Sequence, residues 1–382
     1  MKGGGVAGDR SVDEVLRRIV MLDLPGAPTD EVDLSAGGQS ADVARSLVAE
    51  AEARGLIGSL WLAAGTGAVV LPGEAADRLA DRHRAVMLWC LHLEMRLLEV
   101  QEWFAEVGGI DAIVLKGPAV AHLDEVDPSV RSFADIDLLV AGEDVDRAVA
   151  VIEDHGATRP WPERRPGYDR RFAKSVTLTC RDGVEIDLHR SLVDGVHGFR
   201  IPLPELFDQK EQFVLGGTEF AALCRAHRLL HAAYHVLLGS PVPPTTGLRD
   251  LARFLARPDF GPEVVLPIAR RWRGEAVLAQ AVRLVLEELP LEVPDWKRWV
   301  DGVQVDPREV AIMDRHRAEG SSLGRAKLDA LRELPGTRSK VAYAAALAWP
   351  SRDHLESRGR HRRDVVASWR GFGLRTDRRQ GR

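Results

Sequence analysis

Asp135-Ile136-Asp137-Leu138-Leu139-Val140 decides how this chain is read. Side chains of a strand alternate between its two faces, so both carboxylates point one way while Ile136 and Leu138 point the other. Two unpaired carboxylates side by side repel, and burying them is costly without a compensating cation. Upstream, Gly108-Gly109 ends a helical pattern, and Ile110-Asp111-Ala112-Ile113-Val114-Leu115 has the length and β-branched content of a strand. Lys116-Gly117-Pro118 follows it. Proline suits the first helical turn, so a short helix is expected from Pro118 to about Asp124, with its phosphate-attracting N-terminus at the strand end. Downstream, Asp144 to Asp154 returns to helical spacing and Gly156 stops it. Residues 157–172, rich in Arg and Pro, read as a loop. Val176 to Cys180 and Val184 to Leu188 then read as a hairpin about an Asp-Gly turn.

This order gives an α/β (α+β) core with a mixed sheet, expected over residues 108–215. An N-terminal helical region, 1–107, precedes it, where apolar residues recur at three and four positions (Val12, Leu16, Ile19; Leu91, Met95, Leu98). A C-terminal helical region, 216–350, follows, with helices expected from Phe220 to Leu238 and from Leu248 to Leu289. Residues 351–382 hold ten Arg against four acids and read as a basic tail. The chain of 382 residues exceeds one ordinary domain. No apolar run approaches the roughly 20 residues a spanning helix needs, and the N-terminus lacks a secretory signal, so no membrane and a cytoplasmic setting are expected. Three scattered cysteines, Cys90, Cys180 and Cys224, supply neither a disulfide framework nor a Cys-x-x-Cys zinc motif.

The hairpin adds Glu185 and Asp187 on one face, so a third carboxylate can reach the ion held by the Asp pair. Oxygen ligands of this kind suit Mg²⁺ or Mn²⁺. A strand ending in Lys116-Gly117, a helix N-terminus and an acidic cluster on neighbouring strands together suit a nucleoside triphosphate with its metal. In these features the chain resembles the uncharacterised nucleotidyltransferase branch of the polymerase β superfamily: Leu115-Lys116-Gly117, Arg131 four residues ahead of the Asp-Ile-Asp run, and Ile186-Asp187-Leu188-His189. The likeness extends over roughly residues 85–290, including His231, His235 and Leu248-Arg249-Asp250-Leu251. Better-known members carry Gly-Ser where this chain has Lys116-Gly117-Pro118, and their gap to the Asp pair is shorter.

The resemblance implies a nucleotidyltransferase fold with Asp135 and Asp137 as metal ligands and Asp187 as the third catalytic carboxylate. Two-metal chemistry would then move a nucleoside monophosphate to an acceptor hydroxyl and release pyrophosphate. Lys116 and the Gly117 amide would steady phosphate oxygens, and Arg131 would neutralise the leaving group. The acceptor stays open among small molecules, proteins and RNA. Two other readings use the same sequence. His227, His231 and His235, spaced by four on one helix, with Asp250, would form a metal site for phosphoester hydrolysis. A non-catalytic module would bind nucleotide without turning it over. The Arg-rich tail offers phosphate contacts for RNA, but aromatic interleaving is limited to Trp369 and Phe372.

Overall fold

A computed structural model describes residues 5–35, 38–318 and 323–359. The chain begins with α1 (Gly5–Met21), β1 (Val32–Asp33), α2 (Gly38–Ala53), α3 (Ile57–Gly65), β2 (Val69–Val70) and the long α4 (Gly73–Glu106). The central segment comprises β3 (Ala112–Val114), α5 (Pro118–Leu123), β4 (Ile136–Val140), α6 (Val145–Asp154), α7 (Asp169–Phe172), β5 (Ser175–Thr179) and β6 (Glu185–His189). It continues through α8 (Gly195–Arg200), α9 (Leu203–Asp208), β7 (Lys210–Leu215) and β8 (Thr218–Leu223). Helices follow: α10 (Arg225–Leu238), α11 (Thr245–Leu255), α12 (Pro262–Arg271), α13 (Glu275–Glu288), α14 (Pro294–Gly302) and α15 (Pro307–Arg317). The last are α16 (Leu323–Glu333), α17 (Gly336–Ala348) and α18 (Arg352–Ser357). The fold is mixed α/β, a β-sheet flanked by N- and C-terminal helical regions. No helix among the described residues is long and apolar enough to cross a membrane.

The six strands of the main sheet run in the order β5-β6-β4-β3-β8-β7. β4 pairs parallel with β6 and β3 parallel with β8, while β3/β4, β5/β6 and β7/β8 are antiparallel. Alternation along these strands feeds two separate cores. Ile136, Leu138, Val140, Ile186 and Leu188 pack with the second half of α4 and with α6. Ile113, Leu115 and Leu139 face the other way, into a core built jointly by α1–α3 and α10–α15. Each large apolar side chain sealed there contributes roughly 1.5–3 kcal/mol. Since Asp137 alternates with Leu138, it lies on the second face, the one that α10 covers.

The structure departs from the expected elements in several places. Phe220 to Leu223 is strand and not helix: β7 and β8 form a hairpin whose turn, Gly216-Gly217, takes positive φ at both residues (57° and 85°), and the helix begins only at Arg225. Buried Phe213 and Leu215 alternating with outward Gln212 and Val214 mark its partner strand, β7. The segment expected as one helix from Leu248 to Leu289 is three, broken where Pro262 starts α12 and where Arg273 and Gly274 turn the chain. The loop 157–172 ends in the short α7. Residues 352–357 of the expected tail form α18, and the part from 360 onward lies outside the described residues.

Candidate metal and phosphate site

The floor of the site follows from register. Parallel pairing of β4 with β6 sets Asp137 beside Asp187 and Leu139 beside His189. Adjacent strands stand about 4.8 Å apart. Asp137, Asp187 and His189 each offer a ligand atom within 4.8 Å of the others, a cluster able to hold a divalent metal. The Asp187 carboxylate is half-buried and accepts a 2.5 Å hydrogen bond from Thr177 Oγ1, its partner across β5. Glu185, two residues earlier, is exposed.

Asp137 is the anchor. It is only 2% exposed, and its Oδ1 lies 2.8 Å from Nε2 of His189, itself 1% exposed. Its Oδ2 sits 2.9 Å from the Lys116 ammonium, which retains 22% exposure, and finds no aligned hydrogen-bond donor. Burial on its own pushes the Asp137 carboxyl up, but the His189 hydrogen bond and the charges of Lys116 and His189 outweigh it and hold the group well below the usual carboxylate range. Lys116 moves in the matching direction: burial opposes its charge, yet Asp137 and Asp135 hold its pKa above the ordinary value. Asp135, just before β4, goes the opposite way from Asp137. Burial and then repulsion from Asp137 raise it, only partly relieved by Lys116. The two carboxylates of the Asp-Ile-Asp run thus differ in character: one is a buried, paired anion, the other a destabilised one.

The backbone around Lys116 explains its placement. Leu115 N–H donates to the Asp137 carbonyl and extends the β3/β4 pairing by one residue. Gly117 then takes φ 56° and ψ −112°, and a Cβ there would stand 3.3 Å from the Phe133 side chain. That left-handed φ favours glycine. His189 is held from behind by the Ser191 carbonyl, 3.3 Å from Nδ1. An Nδ1–H bonded to a carbonyl is the arrangement that orients an imidazole for ligation through Nε2.

Arg131 stands near this cluster, acted on by the charge of Asp135, but its guanidinium fork is taken by Asp250 of α11: Nε to Oδ1 and Nη2 to Oδ2, both 2.9 Å. The pair ties the loop before β4 to the C-terminal helices. It also dismantles the histidine-stripe metal site expected on α10, because Asp250 is engaged elsewhere and His227 lies apart, against Glu205 and stacked on Trp272. Among the described residues, Asp137, Asp187 and His189 are the one group of three or more such side chains close enough to share an ion. The sequence expectation names three carboxylates as ligands and leaves out His189, which closes the Ile-Asp-Leu-His run. Alternation from Asp187 places it on the same face of β6, which is the signal the sequence carries for it.

No curated protein matches the chain. A solved structure, described as an antigenic nucleotidyltransferase-like protein from Paracoccidioides brasiliensis, aligns with 57% of this chain and 96% of its own at 12% identity and a TM-score of 0.33. The family model described as "Uncharacterised nucleotidyltransferase" matches residues 41–289, which contain every strand of the main sheet and all the residues of the site. The chain belongs to that uncharacterised nucleotidyltransferase family, within the polymerase β superfamily.

Proposed function

We propose that this protein is a divalent-metal-dependent nucleotidyltransferase that moves a nucleoside monophosphate from a nucleoside triphosphate to a hydroxyl-bearing acceptor. The observation that carries the reading is the convergence of Asp137, Asp187 and His189 beside the Lys116-Gly117 turn. The donor set fits a metal: two carboxylates and an imidazole bring ligand atoms within 4.8 Å of one another. Among Mg²⁺ and Mn²⁺, the nitrogen ligand favours Mn²⁺. When bound, the ion supplies neutralisation of phosphoryl charge and acidifies a coordinated hydroxyl.

The chain's own groups do the rest. Lys116, paired with Asp137 in the absence of other cations, carries a charge suited to the phosphate oxygens, and the Gly117 turn lets backbone approach them without a side chain in the way. Asp187, fixed by Thr177 through one oxygen, takes the acceptor's proton as the acceptor oxygen bonds to the α-phosphorus. The bond from that phosphorus to the bridging oxygen breaks, and pyrophosphate leaves with its electron pair. Asp135 adds negative potential that draws cations to the site, and Arg131, locked by Asp250, feels that charge. The decisive experiment incubates the protein and Mn²⁺ with each α-labelled triphosphate and a cell extract. Label in one fraction with pyrophosphate release, lost in Asp187→Asn, supports the reading. Nucleotide bound with no pyrophosphate released in any fraction would make the protein a binding module instead.

A further inference from the structure

Nucleotide transfer makes no use of a cavity of about 220 Å³ that lies between the start of α8 and helices α15–α17. One wall, with Tyr168 and Val196, belongs to the stretch that the family model matches. The other, with Ile312, Tyr343 and Leu347, comes from helices that follow the end of that match at residue 289. The second wall is fastened to the first. Ser351 N–H donates to the Arg164 carbonyl at 2.7 Å, Ser351 Oγ donates to the Glu163 carbonyl at 3.1 Å, and His354 Nδ1 lies 2.9 Å from the Pro162 carbonyl. Tyr168 and Tyr343 lie nearly parallel with ring centroids 6.3 Å apart, and Phe172 and Phe199 meet Tyr343 edge-on. Aromatic contacts of this kind hold the cavity's sides in place.

The charged lining divides into matched and unmatched groups. Arg315 and Asp329 pair at 2.6 Å, Lys327 is likewise engaged, and burial lowers the His316 pKa, so that this ring adds no charge at neutral pH. Arg164 and Asp194 differ. The Arg164 guanidinium lies over the Tyr168 ring, 5.6 Å from its centroid, and meets no carboxylate among the described residues. Asp194 directly precedes α8, yet its carboxylate accepts no N–H from that helix and has no ion pair among the described residues. One cavity therefore holds an unmatched cation and an unmatched anion that do not pair with each other, together with aromatic and aliphatic walls. Its complement carries both charges and an apolar body. Pockets for drug-sized ligands run to roughly 300–1,000 Å³, so the smaller space here suits a molecule of amino-acid size and not a nucleotide. We propose that this cavity binds a free α-amino acid with an apolar side chain, its carboxylate on Arg164, its ammonium on Asp194, and its side chain against Val196, Ile312 and Leu347. This site goes beyond the nucleotide-transfer reading and stands without it.

Calorimetric titration of the full chain tests it with L-phenylalanine and L-leucine, beside phenethylamine, which lacks the carboxylate, and 3-phenylpropionate, which lacks the ammonium. Both amino acids should bind, and each truncated compound should bind about 10- to 100-fold more weakly than L-phenylalanine, the range for one hydrogen bond to a charged group. Asp194→Asn should lose a similar factor for L-phenylalanine while holding 3-phenylpropionate within about three-fold; Arg164→Gln should do the same with phenethylamine as the compound spared. Asp194 is exposed, so Asp194→Asn keeps the fold and decides the matter even where Arg164→Gln lowers the melting temperature. Absence of saturable binding for both amino acids overturns the site. Binding of 3-phenylpropionate as tight as that of L-phenylalanine, or an unchanged L-phenylalanine affinity in Asp194→Asn, overturns recognition of a zwitterion in favour of a simple anion pocket. Nucleotide transfer is untouched by any of these results.

Discussion

Replacing Asp137 separates the structural role of this carboxylate from its chemical one. It is 2% exposed and sits between the Lys116 ammonium at 2.9 Å and His189 Nε2 at 2.8 Å. Removing one member of a buried charged pair typically costs about 3–5 kcal/mol, because the partner is left uncompensated. Lys116 keeps 22% exposure and can turn to solvent, which places Asp137→Ala near the lower end, about 3 kcal/mol. Asp137→Asn retains an oxygen to accept from His189 and should cost about 1–2 kcal/mol. Lys116→Met in the Asp137→Ala background removes the stranded ammonium, so the double variant should be more stable than the two single losses summed, by about 1–2 kcal/mol. The assay is urea unfolding at pH 7.5 with EDTA. Additive losses, or an Asp137→Ala loss below about 1 kcal/mol, would refute a buried, mutually dependent pair. A practical consequence is that Asp137→Ala confounds activity with folding, and half-buried Asp187 is the cleaner probe of chemistry.

Gly117→Ala forces an L-residue into φ 56° against Phe133 and should lower stability by about 1–3 kcal/mol; a parent-like melting temperature would contradict the strain. Burial holds His197 neutral down to a pKa of about 3 and His235 down to about 4, against 6.5 for the free side chain. The unfolded chain therefore binds more protons than the fold between those values. Stability is full above about pH 6.5 and falls as pH drops toward 4, at up to about 1.4 kcal/mol per pH unit for each such histidine. Urea midpoints measured between pH 7 and 5 should show the fall and a shallower one in His197→Phe; a flat profile would count against it. Asp250→Asn frees one side of the bidentate pair with Arg131 and should destabilise by about 2–4 kcal/mol, read by thermal unfolding; a loss below about 0.5 kcal/mol would show that the pair is solvent-screened.

What the sequence made legible was whatever depends on alternation and local punctuation. Two-residue periodicity puts Asp135 with Asp137 and, independently, Glu185 with Asp187 on common faces, and Lys116-Gly117-Pro118 marks the strand-to-helix turn. What required three dimensions was pairing. The register that sets Asp137 against Asp187 joins residues 50 apart in the chain, and the Arg131–Asp250 fork joins residues 119 apart. Neither leaves a local signature, so Arg131 read as an open cation and Asp250 as a spare ligand. The β7/β8 hairpin is hidden because Phe220 and Leu223, three apart, mimic helical spacing just before a true helix. His189 was available from the alternation itself.

The central claim, that Asp137, Asp187 and His189 hold a divalent ion together, is tested most directly by electron spin-echo measurement of Mn²⁺ bound to the protein. Coupling to a directly ligated imidazole nitrogen is expected, absent in His189→Ala and retained in His231→Phe. A bound Mn²⁺ with no nitrogen coupling, or the same coupling in His189→Ala, would contradict the account.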